Sequence, residues 1–190
     1  MGESAPRRLG ALVFPGYELL DVFGPLEMCG NLPGVVEVVT VAQRAGAVPS
    51  AQGSTAAVAY GFEDCPPLDL LIVPGGVGTA RRWTTQSAST GARASGRGRR
   101  GGDDRVYRRG AVGAHRSARR PARDDEQDVL QCVTEQGRRV RWVREARWVV
   151  DGPFTPSSDV TAGMDTALAV IAGLFDRQEA ERLAMRAEYG

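Results

Sequence analysis

From Thr84 to Asp128 the chain contains no Leu, Ile, Met or Phe. Protein interiors are built largely from such residues, so a stretch of this composition cannot supply a layer of core. Residues 81–123 also carry 13 Arg against two acids, Asp103 and Asp104, a local charge of +11. The whole chain sums to +1, so everything outside those residues sums to −10. On both sides the sequence reads as an ordered α/β domain. Whatever fold forms must be assembled from the two flanks, with residues 82–132 as an anomalous Arg/Gly-rich segment inside a single domain spanning 1–190.

A length of 190 residues suits one domain with a sizeable core, and 42% hydrophobic with 25% charged residues is a globular composition. All 24 basic residues are Arg. Lys codons are A-rich, so a Lys-free chain points to GC-rich DNA, whose wrong frames encode Arg, Gly, Ala and Ser. The block has that composition. Cys29, Cys65 and Cys132 are scattered and odd in number, with neither a disulfide framework nor a metal-ligand spacing. No metal and no cofactor are expected from this pattern. The apolar run near the N-terminus is too short for a secretory signal, and no run approaches transmembrane length. The expectation is a soluble, cytoplasmic protein with no membrane partner.

Leu9–Phe14 (LGALVF) is a continuous apolar run stopped by Pro15-Gly16, as in a strand buried on both faces of a parallel sheet. Tyr17–Cys29 has helical spacing at Leu19, Leu20, Phe23 and Leu26, and Gly24-Pro25 is expected to kink or restart that helix. Val35–Val41 reads as a second strand. Val48–Gln52 and Ala56–Tyr60, with Gly53 between them, read as a hairpin whose first arm is an edge strand because of Pro49. Leu68–Val73 is another buried strand, ending in Pro74-Gly75-Gly76. This order predicts an open α/β sheet with its site at the carboxyl ends of the strands. Further on, Val140–Val143 and Arg147–Val150 are β-type runs and Asp151-Gly152 signals a tight turn. Ser157, Ser158 or Asp159 can cap a buried helix over Gly163–Phe175. Asp176–Tyr189 reads as a more charged amphipathic helix.

Four stretches together resemble the ThiJ/PfpI superfamily, and within it the isonitrile hydratase-like branch. They are FPGYELLDVFGPLE (Phe14–Glu27), FEDCPPLDLLIVPGG (Phe62–Gly76), VREARWVVDGPF (Val143–Phe154) and SSDVTAGMDTALAVIAGLF (Ser157–Phe175). Each is weak alone; their order and spacing carry the resemblance. It implies a flavodoxin-like three-layer sandwich with a mostly parallel sheet, a homodimer, and a small-molecule substrate. It also implies a nucleophilic cysteine on a strained strand-to-helix elbow, a carboxylate from the first helix, and backbone amides of a glycine loop. A thiolate tuned by nearby dipoles and a carboxyl group is suited to attack an electrophilic carbon. Asp21 matches the family carboxylate, and Gly75 and Gly76 match the substrate-binding oxyanion loop. Without the resemblance, Asp21 is a first-turn acid favoured by the helix dipole, and the glycines are a turn needing positive φ. Cys65 and Cys29 read as structural, and His115 is assigned no role. Thr161 and Asp165 could line the site or a dimer face.

The family pattern expects a buried strand and a Cys-Thr-Gly-type elbow roughly thirty residues after the glycine loop. The chain has Asp103–Arg109 (DDRVYRR) there, without a cysteine. Burying those guanidinium groups unpaired would be prohibitive, so the central nucleophile-elbow region reads as disrupted. With synonymous codons chosen freely, Asp103–Gln131 read one base later can encode a string beginning TTVCTGAALLA. That is an elbow followed by a helix, with the cysteine codon straddling Val106 and Tyr107. The leading expectation is a frame-disrupted family member that is inactive as written. A ligand-sensing domain is an alternative. A rival from another class takes Ala94–Gly102 (ASGRGRRGG) as a basic nucleic-acid-binding loop on an α/β scaffold. Apart from Tyr107 it lacks interleaved aromatics, and it replaces a strand the scaffold needs, so nucleic acid is not the favoured partner. Cys132 as a substitute nucleophile is disfavoured, since it has neither a glycine-loop partner nor an elbow glycine.

Overall fold

The computed structural model describes residues 5–32, 34–76, 146–158 and 160–190, together with the backbone of 111–114. Strand β1 (Arg7–Leu12) leads into helix α1 (Leu19–Gly30) and strand β2 (Val36–Ala42). Then come β3 (Gly46–Pro49), β4 (Thr55–Val58), β5 (Tyr60–Gly61), β6 (Leu70–Val73), β7 (Ala111–Ala114) and β8 (Phe154–Ser157). Two helices follow, α2 (Ala162–Leu174) and α3 (Arg177–Arg186). The main sheet has the order β5-β2-β1-β6-β7-β8, and its pairs are parallel. This is the open α/β sheet that the apolar runs predict, in the mostly parallel, flavodoxin-like form that the resemblance implies.

β1 is central, and its residues Leu9 to Leu12 are buried in succession without alternation, as a strand covered on both faces requires. The larger core cluster joins β1 and β6 to α1, α2 and α3 through Leu9, Ala11, Ile72, Val22, Met28, Ile171 and Leu183. A smaller cluster gathers Val39, Val41 and Leu68 with Phe62 and Leu71 packed against it. The segments from which a further helical layer would come fall within 77–110 and 115–145, outside the described residues.

α1 runs unbroken from Leu19 to Gly30 with Pro25 inside it. Pro25 cannot donate to the Asp21 carbonyl, yet the helix neither stops nor restarts there. Packing against α2 compensates. A Cβ on Gly24 would lie 2.9 Å from Met164 Cγ, and one on Gly163 would lie 3.4 Å from Pro25 Cγ. The two small residues let the helices approach at the point where the proline interrupts the bonding ladder.

β3 and β4 form the expected antiparallel hairpin, with Pro49 paired to Thr55 at its end. Tyr60 does not continue that arm; it belongs to β5, which pairs with β2. Residues 147–150 make only bridges, Trp148 with Ser157 and Asp151 with Phe154, around a turn in which Gly152 has φ of 57°. The N-cap of α2 is Thr161, which makes no side-chain cap bond. Of the expected caps, Ser157 lies in β8, paired with Ala114, and Asp159 lies outside the described residues. In α3 the Asp176 carboxylate accepts from the Glu179 amide, a satisfied cap.

The strand expected to be missing beside β6 is present, at a different place. β7 pairs Leu71 with Ala111, Ile72 with Val112 and Val73 with Gly113, and then pairs with β8. Gly110–Ala114 is the longest apolar run of the block, so it can enter a sheet without burying a guanidinium group. Asp103–Arg109 lies outside the described residues.

Candidate functional site

Three segments meet at the carboxyl ends of β1 and β6. The Val13–Glu18 turn leaves β1 with Val13 N–H donating to Val41 O at 2.7 Å and Gly16 N–H donating to Pro49 O at 2.9 Å. The Pro74–Gly76 loop leaves β6. The first turn of α1 brings Asp21 between them. Asp21 is only 2% exposed, and its Oδ2 accepts from the Gly75 amide at 2.8 Å. The Gly75 carbonyl in turn accepts from the Glu18 amide at 2.8 Å. Gly75 is thus held through both its N–H and its C=O.

Gly76 allows this closeness. Its φ is +139°, and a Cβ there would sit under 3 Å from Gly16 O, Glu18 N and Tyr17 Cα. All three are backbone atoms that cannot rotate aside. The site carboxylate and the glycine loop, 54 residues apart in sequence, are therefore brought into direct contact. A carboxylate in the first turn of a helix, accepting a backbone N–H, is favoured by both the helix dipole and the charge-assisted bond. One consequence was not legible in the motif: the Gly75 N–H is already given to Asp21, so in this geometry it serves the carboxylate rather than an oxyanion.

The other singled-out residues fall elsewhere. Cys29 is buried on α1 in the main core, where burial pushes its thiol up to about 12. Cys65 is half-buried on the connection into β6, with its thiol raised by burial and by Asp64. Neither supplies a thiolate near neutral pH. Asp165 and Thr161 belong to a network at the start of α2. Arg147 Nε donates to Asp165 Oδ2, Arg147 Nη2 to Thr161 Oγ1 at 3.2 Å, and Tyr189 Oη to Asp165 Oδ1 at 2.9 Å. This ties the chain's last residues to α2 and to the 146–151 arm. Val106, Tyr107, His115 and Cys132 lie outside the described residues, and so does the position expected for the nucleophile.

Sequence reading missed two residues at the start of α1. Tyr17 is fully buried, and among the described residues its hydroxyl has no hydrogen-bond partner. Gln52, at the tip of the β3–β4 hairpin, accepts from the Leu19 amide at 3.1 Å and donates to Glu18 Oε1. No local pattern marks either one, because each acquires its role from a segment far away in sequence. Among the described residues no group of three or more His, Cys, Asp or Glu side chains could hold a metal ion, and no helix is long and apolar enough to cross a membrane.

Comparison with known proteins points one way. No family model matches the chain. It is similar to the isonitrile hydratase of Pseudomonas putida, 27% identical over 188 residues covering 96% of this chain and 78% of that protein. Its fold is similar to a solved ThiJ/PfpI family protein from Pseudomonas syringae, with a TM-score of 0.71, 23% identity and coverage of 100% of this chain and 76% of that one. It is similar as well to oxidized DJ-1 of Toxoplasma gondii, with a TM-score of 0.71, 15% identity and coverage of 97% and 99%. The chain is thus similar along nearly its whole length to an isonitrile hydratase, and it shares the fold of solved ThiJ/PfpI and DJ-1 proteins.

Proposed function

We propose that the chain derives from a cysteine-dependent hydratase acting on a small electrophile, with hydration of an isonitrile to an N-substituted formamide as the specific reaction, and that as written it does not turn over. The observation that carries the reading is the buried Asp21 carboxylate bound to the glycine loop at the carboxyl edge of β6. The likeness to an isonitrile hydratase narrows the substrate class.

In this chemistry a thiolate adds to the terminal isonitrile carbon, and that carbon takes a proton to give a thioimidate. Water adds to the same carbon, the thiolate leaves, and the nitrogen gains a proton to release the formamide. Asp21 is suited to relaying the protons. Among the described residues no thiol serves this role: Cys29 lies on α1 in the main core, Cys65 on the connection into β6, and both thiols are raised. A frame disruption across residues 82–132 would account for the loss, since the shifted reading can encode a cysteine at the Val106–Tyr107 boundary. The ligand on this reading is a small molecule and the assembly is a homodimer, which light scattering on the eluted protein would test.

The direct test is the nucleotide sequence across codons 80–133. Codons unable to encode the shifted peptide would refute the frame disruption. Incubation with an alkyl isonitrile should yield no formamide above the level of an Asp21→Ala variant. Thiol-dependent turnover by the chain as written would refute the proposed loss of activity.

A further inference from the structure

The N-terminus of α1 is not capped by its own sequence. The N-cap residue, Glu18, is extended (φ −75°, ψ 122°) and makes no side-chain cap bond. The first amides of a helix need acceptors from somewhere. Gln52 supplies one. Its Oε1 accepts from Leu19 N–H at 3.1 Å, while its Nε2 donates to Glu18 Oε1. The hairpin tip that carries Gln52 is docked on the same turn by backbone bonds: Gly16 N–H to Pro49 O at 2.9 Å and Ala51 N–H to Tyr17 O at 2.8 Å, with Tyr17 bridged to Ser50. On its other side that turn abuts Gly76. The segment leading to Asp21 is therefore clamped between the glycine loop and the hairpin tip.

We propose that Gln52 is a positioning residue for Asp21. It holds the first turn of α1 so that Asp21 Oδ2 meets the Gly75 amide, and it keeps the Glu18 carboxylate turned away from the second carboxylate three residues on. This rests on reading Asp21 as the site carboxylate, but none of its readouts needs catalysis, so it can fail or stand independently of the hydratase assignment. Two like charges three residues apart at a helix start repel, and a single amide side chain that both accepts from the helix and donates to Glu18 removes the conflict.

The test uses the full chain and two variants, Gln52→Ala and Gln52→Ala with Glu18→Gln. Amide exchange by NMR should show the Gly75 N–H losing about fivefold in protection in Gln52→Ala, the loss expected of one hydrogen bond. Amides of Val39 and Ile72 should be unchanged. In a carbon-detected titration the Asp21 carboxyl should shift upward in Gln52→Ala and return when Glu18→Gln is added. Unchanged Gly75 exchange overturns the proposal. An equal loss at Gly75, Val39 and Ile72 also overturns it, by reducing Gln52 to a source of general stability. So does an Asp21 titration that does not move.

Discussion

Replacing Gly76 by Ala probes the contact on which the site depends. The new Cβ would lie under 3 Å from three backbone atoms, 2.7 Å from Glu18 N and 2.8 Å from Tyr17 Cα among them, in a residue with φ of +139°. Strain in that region of backbone space costs about 1–3 kcal/mol for a residue with a side chain. Overpacking adds about 1–3 kcal/mol, here near the upper end because no flexible side chain can yield. The sum is about 4–6 kcal/mol. Urea unfolding followed by circular dichroism gives the measure. With a slope of about 2 kcal/mol/M, the midpoint should fall by about 2–3 M. Gly152→Ala is the control. Gly152 also has positive φ, at +57°, but a Cβ there meets nothing within 4 Å. It should cost about 1 kcal/mol, and the lowered entropy of the unfolded chain is common to both variants and cancels. If Gly76→Ala lowers the midpoint no further than Gly152→Ala does, the close approach of the glycine loop to the Gly16–Glu18 turn is wrong. The geometry of Asp21 falls with it.

Two further outcomes follow from single buried groups. Tyr17→Phe removes a fully buried hydroxyl that has no hydrogen-bond partner among the described residues, and it should stabilise the protein by about 1 kcal/mol, raising the melting temperature by about 2–4 °C. A lower melting temperature would mean that the hydroxyl is satisfied. Cys29, with its thiol raised by burial from 9.0 to about 12, stays protonated in the folded chain while the unfolded chain ionises first. The stability this contributes is fully present below about pH 9 and is lost as pH rises towards 12, on the order of 4 kcal/mol across that window. Urea midpoints at pH 8 and 10.5 should differ more for the parent than for Cys29→Ala; equal differences would refute the burial argument. The same thiol should resist a disulfide reagent at pH 8 until the chain unfolds.

Much of the fold is legible in the apolar runs. LGALVF and LDLLIV announce strands covered on both faces, and both take central places in a parallel sheet, because burial on two sides leaves no room for alternating polar residues. The hairpin around Gly53 and the turn at Gly152 are legible for a similarly local reason, since positive φ selects glycine. Elements whose limits depend on distant partners are read less well. Pro25 looks like a helix break until Gly163 and Met164 pack against it, and AVGA looks like filler until β6 and β8 pair with it on either side.

The candidate site divides in the same way. Asp21 and Gly75-Gly76 can be singled out only through the family resemblance; by local pattern alone they are a first-turn acid and a glycine turn. That Oδ2 of one binds the amide of the other is decided only in three dimensions. So are the docking of Gln52 on α1 and the isolation of the Tyr17 hydroxyl. By itself, the sequence determined which residue types were available and where the long buried strands and helices lie, though not that Ala111–Ala114 enters the sheet. The tertiary structure decided which of them meet, because a bond across 54 residues is specified by how strands register and helices pack, and no short stretch of chain encodes that.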